Sequence, residues 1–198
     1  MPATGGPVLA RMFDAPVDFG NGMALRGYRA GVQTAGRVQV VQLESVWEAT
    51  APIPEDYMVG VRATDETGQV WGQTNSAPLG NFRPTSGWQP GETISDHLGL
   101  LLWPGAPPGR YQIQMWLYRE ADGNIVTART GKDLRSDGKL ALGEIVVGAP
   151  MYPPLPAILG MNKEIGYKFA GILLLGYQSP TGSLRPGDTL EMQLFWQC

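Results

Sequence analysis

The stretch VQLESVWE, residues 41–48, decides the fold class of this chain. Val41, Leu43, Ser45 and Trp47 lie at alternate positions, with polar or charged residues between most of them. Successive side chains of a β-strand point to opposite faces of a sheet, so this alternation predicts a strand with one buried face. We therefore expect these four side chains to face a hydrophobic core.

The same period of two recurs along the chain between turn residues. Further strands are predicted at residues 57–61, 69–73, 93–103, 111–117 and 143–147. Glycine, asparagine and proline separate these runs, and no window of twelve residues keeps a helical period. Short strands at intervals of about ten residues are typical of sandwiches and barrels. We predict an all-β antiparallel two-sheet sandwich, immunoglobulin-like or jelly-roll-like.

The composition agrees with a loop-rich β protein. The 198 residues include 27 glycines and 17 prolines, and only 17% are charged. These values exclude a coiled coil and a charge-driven disordered chain. The 15 basic residues are scattered singly against 18 acidic ones, which argues against a nucleic-acid partner.

Neither a membrane span nor a disulfide is expected from the sequence. The N-terminus has no basic segment followed by an apolar run, so it does not resemble a signal peptide. Apolar stretches such as residues 98–103 are far too short to cross a bilayer. Cys198 is the only cysteine, so it has no partner for an internal disulfide and is a poor candidate for a nucleophile.

An internal repeat links the two ends of the chain. Residues 25–28, LRGY, match residues 174–177, LLGY, and residues 41–48 match residues 190–197. Both matches have the same offset, because Trp196 follows Trp47 by 149 positions without a gap. The shared phase predicts that both indoles face a core in equivalent positions.

The repeat predicts the organisation of the chain. We expect an N-terminal extension over residues 1–17, a complete module over 18–147, a proline-rich linker over 148–169 and the first two strands of a truncated second module over 170–198. This C-terminal extra β-hairpin would be only marginally stable alone. We expect it to dock on a sheet edge or apolar face of the first module or of a neighbouring chain, and a strand-exchanged homodimer is one such arrangement.

Several motifs together resemble one family of modules. They are LRGY at 25–28, the Trp47 strand followed by residues 54–57, PTSGWQPGE at 84–92, PPGRY at 107–111, and residues 184–190 leading to Trp196. This pattern resembles β-sandwich modules, often in tandem, in extracytoplasmic parts of bacterial membrane proteins. Many of those proteins are similar to glycosyltransferases of the mannosyltransferase or aminoarabinose-transferase type.

The resemblance implies a non-catalytic accessory module, a spacer or recognition domain outside the membrane, with no cofactor or metal. Its partners would be polysaccharide or neighbouring modules of the same protein. It implies structural roles for a set of turn and core residues, namely Gly27, Tyr28, Trp47, Trp88, Gly91, Pro108, Gly109, Tyr111, Gly176, Tyr177 and Trp196.

The ionisable residues that could carry chemistry are few. His97 is the only histidine, and beside Asp96 we interpret it as a strand-surface pair. A hydrolase would instead need polar groups converging around His97. The adjacent carboxylates Glu55 and Asp56 point to opposite faces of a strand, and we interpret Asp65 as a turn-capping residue.

The tryptophans offer the alternative of a carbohydrate-binding module. We assign Trp47 and Trp196 to packing and Trp88 to anchoring a loop. Trp116 lies among glutamines on its strand and is the best candidate for an exposed ring, followed by Trp71. An exposed indole can stack on a sugar ring, whereas packing is the common fate of tryptophan. The sequence leaves both roles open for these two residues.

Overall fold

The computed structural model describes residues 8–130 and 134–197, and the chain divides into two compact units between Met151 and Tyr152. Each unit is described by itself. The expectation about Cys198 lies outside the described residues. Within them, no helix is long and apolar enough to cross a lipid bilayer.

The first unit consists of two antiparallel sheets. Its strands are β1 (Leu9–Asp18), β2 (Met23–Ala35), β3 (Val38–Ala49), β4 (Tyr57–Thr64), β5 (Val70–Ser76), β6 (Thr93–Leu101), β7 (Gly109–Arg119), β8 (Ile125–Val126) and β9 (Leu140–Val147). One sheet has the order β1-β2-β3-β6, and the other has the order β5-β4-β7, with β8 and β9 both paired to β7. The predicted all-β sandwich is confirmed.

The core lies between these sheets and follows the period of two in the sequence. In β3, Val41 and Trp47 are 0% exposed, and in β7 Ile113 and Met115 are also 0% exposed. Burial of such a side chain contributes about 1.5–3 kcal/mol. The Tyr28 hydroxyl in β2 donates a hydrogen bond to the Leu142 carbonyl in β9, which links the two sheets.

A β-bulge interrupts the pairing of β2 with β3. Leu25 pairs with Trp47, but Gly27 pairs with Val46, so β2 has one extra residue at this point. A Cβ atom on Gly27 would lie 2.7 Å from the Arg11 carbonyl oxygen of β1, so only glycine fits there without displacing the backbone. The Phe19 ring packs against Trp47 with 5.8 Å between centroids.

The second unit is a three-stranded sheet with the order β10-β11-β12. Its strands are β10 (Lys163–Phe169), β11 (Ile172–Gln178) and β12 (Gln193–Gln197). The segment boundaries predicted from the sequence need correction at two places. β1 occupies most of the predicted extension, and β10 lies within the predicted linker, so the predicted hairpin has a third strand.

The strands that repeat in sequence also pair alike. Leu174 pairs with Trp196 and Gly176 pairs with Phe195, with the register shift between these pairs. A Cβ atom on Gly176 would overlap the Lys163 carbonyl oxygen of the preceding strand. The pairing of β11 with β12 therefore reproduces the bulge of β2 and β3 at the offset found in the sequence.

The expectation that both repeated indoles face a core is wrong for Trp196. Trp47 is 0% exposed, whereas Trp196 is 50% exposed. The physical reason is that the second sheet of the first unit covers β3, while the described second unit consists of one sheet.

The loop around Trp88 is closed by an ion pair between Arg83 and Glu92. Two hydrogen bonds join their side chains, the second with 2.6 Å between Nη2 and Oε2. The Gln89 N–H also donates to Oε2 at 3.0 Å, and Trp88 between them is 2% exposed. The hydrogen bonds from Arg83, and next that from Gln89, lower the pKa of Glu92 from 4.5 to about 2.

We expect Glu92→Gln to make the thermal stability of the protein less dependent on pH in the acid range. A carboxylate with a lowered pKa stabilises the fold above its ordinary pKa, and this contribution is lost as pH falls. Thermal unfolding followed by circular dichroism between about pH 6 and 2 should show a smaller loss of Tm on acidification in the variant. Glu66→Gln, in an exposed turn, is the control, and equal profiles for the native protein and Glu92→Gln would contradict this role.

Candidate functional site

The first predicted binding residue, Trp116, does not offer a free ring. It lies on β7 opposite Gly60 of β4 and is 8% exposed. A Cβ atom on Gly60 would overlap the indole, and the Lys139 Nζ lies 5.7 Å from the ring centroid. The expectation of an exposed ring is wrong, because the indole lies over Gly60, which has no side chain, and the Lys139 side chain lies near the ring.

The second predicted binding residue, Trp71, lies at the start of β5, and its ring contacts the preceding turn. Its half-buried indole donates from Nε1 to Asp65 Oδ2 at 2.8 Å. Asp65 Oδ1 accepts the backbone N–H groups of Thr67 and Gln69 at 2.9 and 3.0 Å. Burial acts to raise the pKa of Asp65, but these hydrogen bonds and that from Trp71 outweigh it, so the pKa lies below its usual value. A sugar-binding role for Trp71 or Trp116 stays a prediction.

The other motif residues take part in packing and turns. Gly91 has a φ of +86°, a conformation that favours glycine, and its N–H donates to the Ala49 carbonyl at 2.7 Å. Tyr111 is 1% exposed, and its hydroxyl donates to the Pro107 carbonyl at 2.6 Å, beside Pro108 and the start of β7 at Gly109. Burial, and next the charge of Asp65, raise the pKa of Tyr111 to about 12.

Asp96 and His97 do not form the surface pair expected from sequence. The Asp96 side chain points inward, is 4% exposed, and accepts the Leu79 N–H at 2.8 Å. His97 points to the outer face of the sheet β1-β2-β3-β6 and is exposed. The physical reason is the alternation of side chains along β6.

His97 belongs to a row of polar side chains across three strands. It pairs with Glu44 of β3, and Glu44 pairs with Arg29 of β2. Neighbouring strands lie about 4.8 Å apart, so the side chains of these three residues start from the sheet at about that spacing. In the part of the chain that the structure describes, none of these three side chains has a hydrogen bond or ion pair with another side chain.

The adjoining row of paired residues contains two glycines, so it leaves part of the backbone on this face of the sheet uncovered by side chains. Gln42 of β3 pairs with Gly31 on one side and with Gly99 on the other. Neither glycine has a side chain, and the Gln42 amide between them donates from Nε2 to Gln33 Oε1 at 3.4 Å. Val8 Cγ2 lies 3.8 Å from the place of a Cβ atom on Gly31, and Val40 Cγ1 lies 3.5 Å from that on Gly99. A ligand can therefore approach the backbone at both glycines.

These two rows line a continuous groove on the outer face of the first sheet, which we call the outer groove. One shallow cavity of about 270 Å³ is lined by Val8, Arg29, Gly31, Val32, Gln33, Gln42, Leu43, Glu44 and His97. A second, of about 330 Å³, shares Arg29 and Glu44 and continues along Ala10, Arg11, Met12, Tyr28 and Val46.

The outer groove combines cationic and amide donors with carboxylate and amide acceptors. Of its polar residues, only His97 is a candidate in the sequence. Gln42 and Glu44 alternate with the core residues of their strand, and only the pairing register brings them beside Arg29 and His97. Among residues 8–130 and 134–197, no group of three His, Cys, Asp or Glu side chains is arranged to hold a metal ion.

No protein-family model matches this sequence, and no curated protein matches it. Among solved structures, the C-terminal domain of wzt is similar with a TM-score of 0.46 and 10% identity, over 82% of this chain and 89% of that one. A glycoside hydrolase family 2 beta-glucuronidase has a TM-score of 0.39 and 9% identity, over 62% of this chain. A calcium-binding mutant of Bacteroides uniformis beta-glucuronidase 2 has a TM-score of 0.38 and 14% identity, over 63% of this chain.

The match spans only 11% and 15% of the two glucuronidase chains. With TM-scores below 0.5, these likenesses assign this chain to no family and to no activity. None of the three is a mannosyltransferase, so the resemblance drawn from the sequence motifs stays a prediction.

We expect Gly60→Ala to destabilise the first unit through Trp116. The added methyl group would overlap the indole, and overpacking of this kind costs about 1–3 kcal/mol. Urea unfolding followed by tryptophan fluorescence measures the loss. Gly109→Ala in β7 is the control, because nothing lies within 4 Å of its added Cβ, and an equal effect of both variants would contradict the packing of Trp116 on Gly60.

Proposed function

We propose that the first unit is a non-catalytic recognition module that binds a carbohydrate chain in the outer groove. The observation that carries this proposal is the row of Arg29, Glu44 and His97 beside a glutamine flanked by two glycines. We assign binding to this groove and no reaction.

The chemistry of the groove favours a polyhydroxylated ligand. Each sugar hydroxyl both donates and accepts hydrogen bonds, and the groove offers a guanidinium that donates, a carboxylate that accepts and amides that do both. Arg29 and Glu44 carry opposite charges on paired positions, so their row favours neutral ligands over strongly charged ones. Val46 adds an apolar contact for the C–H groups of a sugar ring.

The resemblance drawn from the sequence supports the wider context of the proposal. In that context the module lies outside the membrane, within a larger membrane-associated, glycosyltransferase-like protein. A spacer role is the second candidate, and the repeated pairing of β2–β3 in β11–β12 favours it, because spacers are often built from serial units.

The single histidine gives a direct test of binding at the groove. Because His97 is the only histidine, the imidazole proton signals in an NMR spectrum are assigned to this residue without further labelling. We expect soluble bacterial surface oligosaccharides, titrated at constant pH, to include one that shifts these signals saturably with a Kd of about 10 μM to 1 mM.

Variants distinguish the groove from other places on the module. Arg29→Ala and Glu44→Gln should each weaken binding about tenfold or more, since hydrogen bonds to charged groups contribute about 1.5–3 kcal/mol. Arg110→Ala and Glu144→Gln are matched controls, because this pair lies exposed on the other sheet.

Each outcome decides between the candidates. No shift with any oligosaccharide up to about 10 mM would contradict recognition and leave the spacer role. Binding that Arg29→Ala and Glu44→Gln leave unchanged would contradict the groove. A change in tryptophan fluorescence with unchanged His97 signals would move the site to Trp71 or Trp116.

A further inference from the structure

The sheet β10-β11-β12 has one face made of apolar side chains, which we call the open face. Tyr167 pairs with Leu174, Phe169 with Ile172, and Leu174 with Trp196. Directly paired residues share a face of a sheet, so these five side chains lie together. Leu194, two positions before Trp196 on β12, lies on the same side.

Most of the open face is in contact with solvent. Tyr167 is 58% exposed, Phe169 51%, Ile172 47%, Leu194 49% and Trp196 50%. These side chains carry no charge, and two of the ring pairs are in contact. Tyr167 and Phe169 lie 4.6 Å apart, and Phe169 and Trp196 lie 6.1 Å apart, between ring centroids.

The first unit demonstrates what a face of this kind packs against. Ile172, Leu174 and Trp196 follow Met23, Leu25 and Trp47 by 149 positions, and the latter three are 0% exposed. Phe19 packs on Trp47 as Phe169 packs on Trp196. In the first unit, a second apolar sheet covers this face. The open face therefore has the residues and pairing of an inner sandwich face.

We infer that the open face binds the same face of a second copy of this chain. In the first unit an apolar sheet face packs against another apolar sheet face, and the open face of a second copy has the same composition and pairing as the face it would cover. Two such sheets can pack about 10 Å apart around a twofold axis, as the layers of a sandwich do.

The size and chemistry of the open face fit such a dimer. The five half-exposed side chains offer on the order of 600 Å² per copy, so two faces bury about 1,200 Å² together. They are Tyr167, Phe169, Ile172, Leu194 and Trp196. That area is at the lower end of specific interfaces and predicts a micromolar rather than a nanomolar dimer. The net charge of −3 adds little repulsion between copies.

The pre-packed rings reduce the cost of association. Tyr167, Phe169 and Trp196 already contact one another within one copy, so their side chains lose little freedom when a partner covers them. The contacts across the twofold axis would then be made by aromatic rings, which are enriched at the energetic centre of interfaces.

Sedimentation of the full chain tests this inference. We expect a monomer–dimer equilibrium with a Kd of about 1–100 μM. Tyr167→Lys and Trp196→Lys should each raise that Kd tenfold or more, because the dimer would bury an unpaired ammonium group. Tyr167 is the most exposed of the five residues, so its replacement disturbs the fold of its own sheet least. Circular dichroism checks that the strands remain.

The control replaces an aromatic residue elsewhere. Phe82 in the first unit is 94% exposed, and Phe82→Lys should leave the dimer unchanged. A monomer at all concentrations up to about 200 μM would overturn the inference, and so would a dimer that both lysine variants leave intact. A monomer whose tryptophan fluorescence changes on adding an oligosaccharide, with the change lost in Trp196→Lys, would assign the open face to sugar instead. None of these results depends on binding at the outer groove.

Discussion

The bulge between β2 and β3 is the constraint on which the first unit depends. In a regular strand, Leu25 and Tyr28 would point to opposite faces, because they are three positions apart. The extra residue at this point turns both inward, and they are 0% and 4% exposed. Tyr28 then reaches the Leu142 carbonyl of the facing sheet, and Leu25 pairs with the buried Trp47. Gly27 makes the bulge compatible with β1, whose backbone lies too close for a side chain.

The same sheet packs against the core on one face and carries the outer groove on the other. Because side chains alternate, the residues between the core positions of β2, β3 and β6 all emerge on the outer face. There the pairing register places Arg29, Glu44 and His97 in one row and Gly31, Gln42 and Gly99 in the next. The outer groove is thus a direct consequence of how three strands align, and its polar residues need no loop to position them.

The strands and the core of the first unit were predictable from local pattern. The alternation in residues 41–48 correctly predicts the buried face of β3, and the repeat at residues 174–177 and 190–197 marks β11 and β12. The strand β10 was missed although Ile165, Tyr167 and Phe169 alternate in the sequence, because the preceding prolines suggested a linker.

The site residues required information that a single strand does not contain. Trp116 lies among polar residues in the sequence, but Gly60 on the neighbouring strand makes room for its ring in the sheet. Glu44 is one more solvent-facing residue until pairing brings Arg29 and His97 to its two sides. Trp196 repeats Trp47 in its strand, yet its exposure depends on whether a second sheet covers it, which the sequence of the strand does not show.

Hydrogen exchange of backbone amides in β2 and β3 tests most directly whether the bulged pair is the centre of the first unit. The account predicts that the amides of residues 25–28 and 43–47 exchange only when the whole unit unfolds, with a free energy of opening equal to that of unfolding in denaturant. Exchange of these amides through local opening, at a free energy several kcal/mol lower than that of β4 and β7, would contradict it.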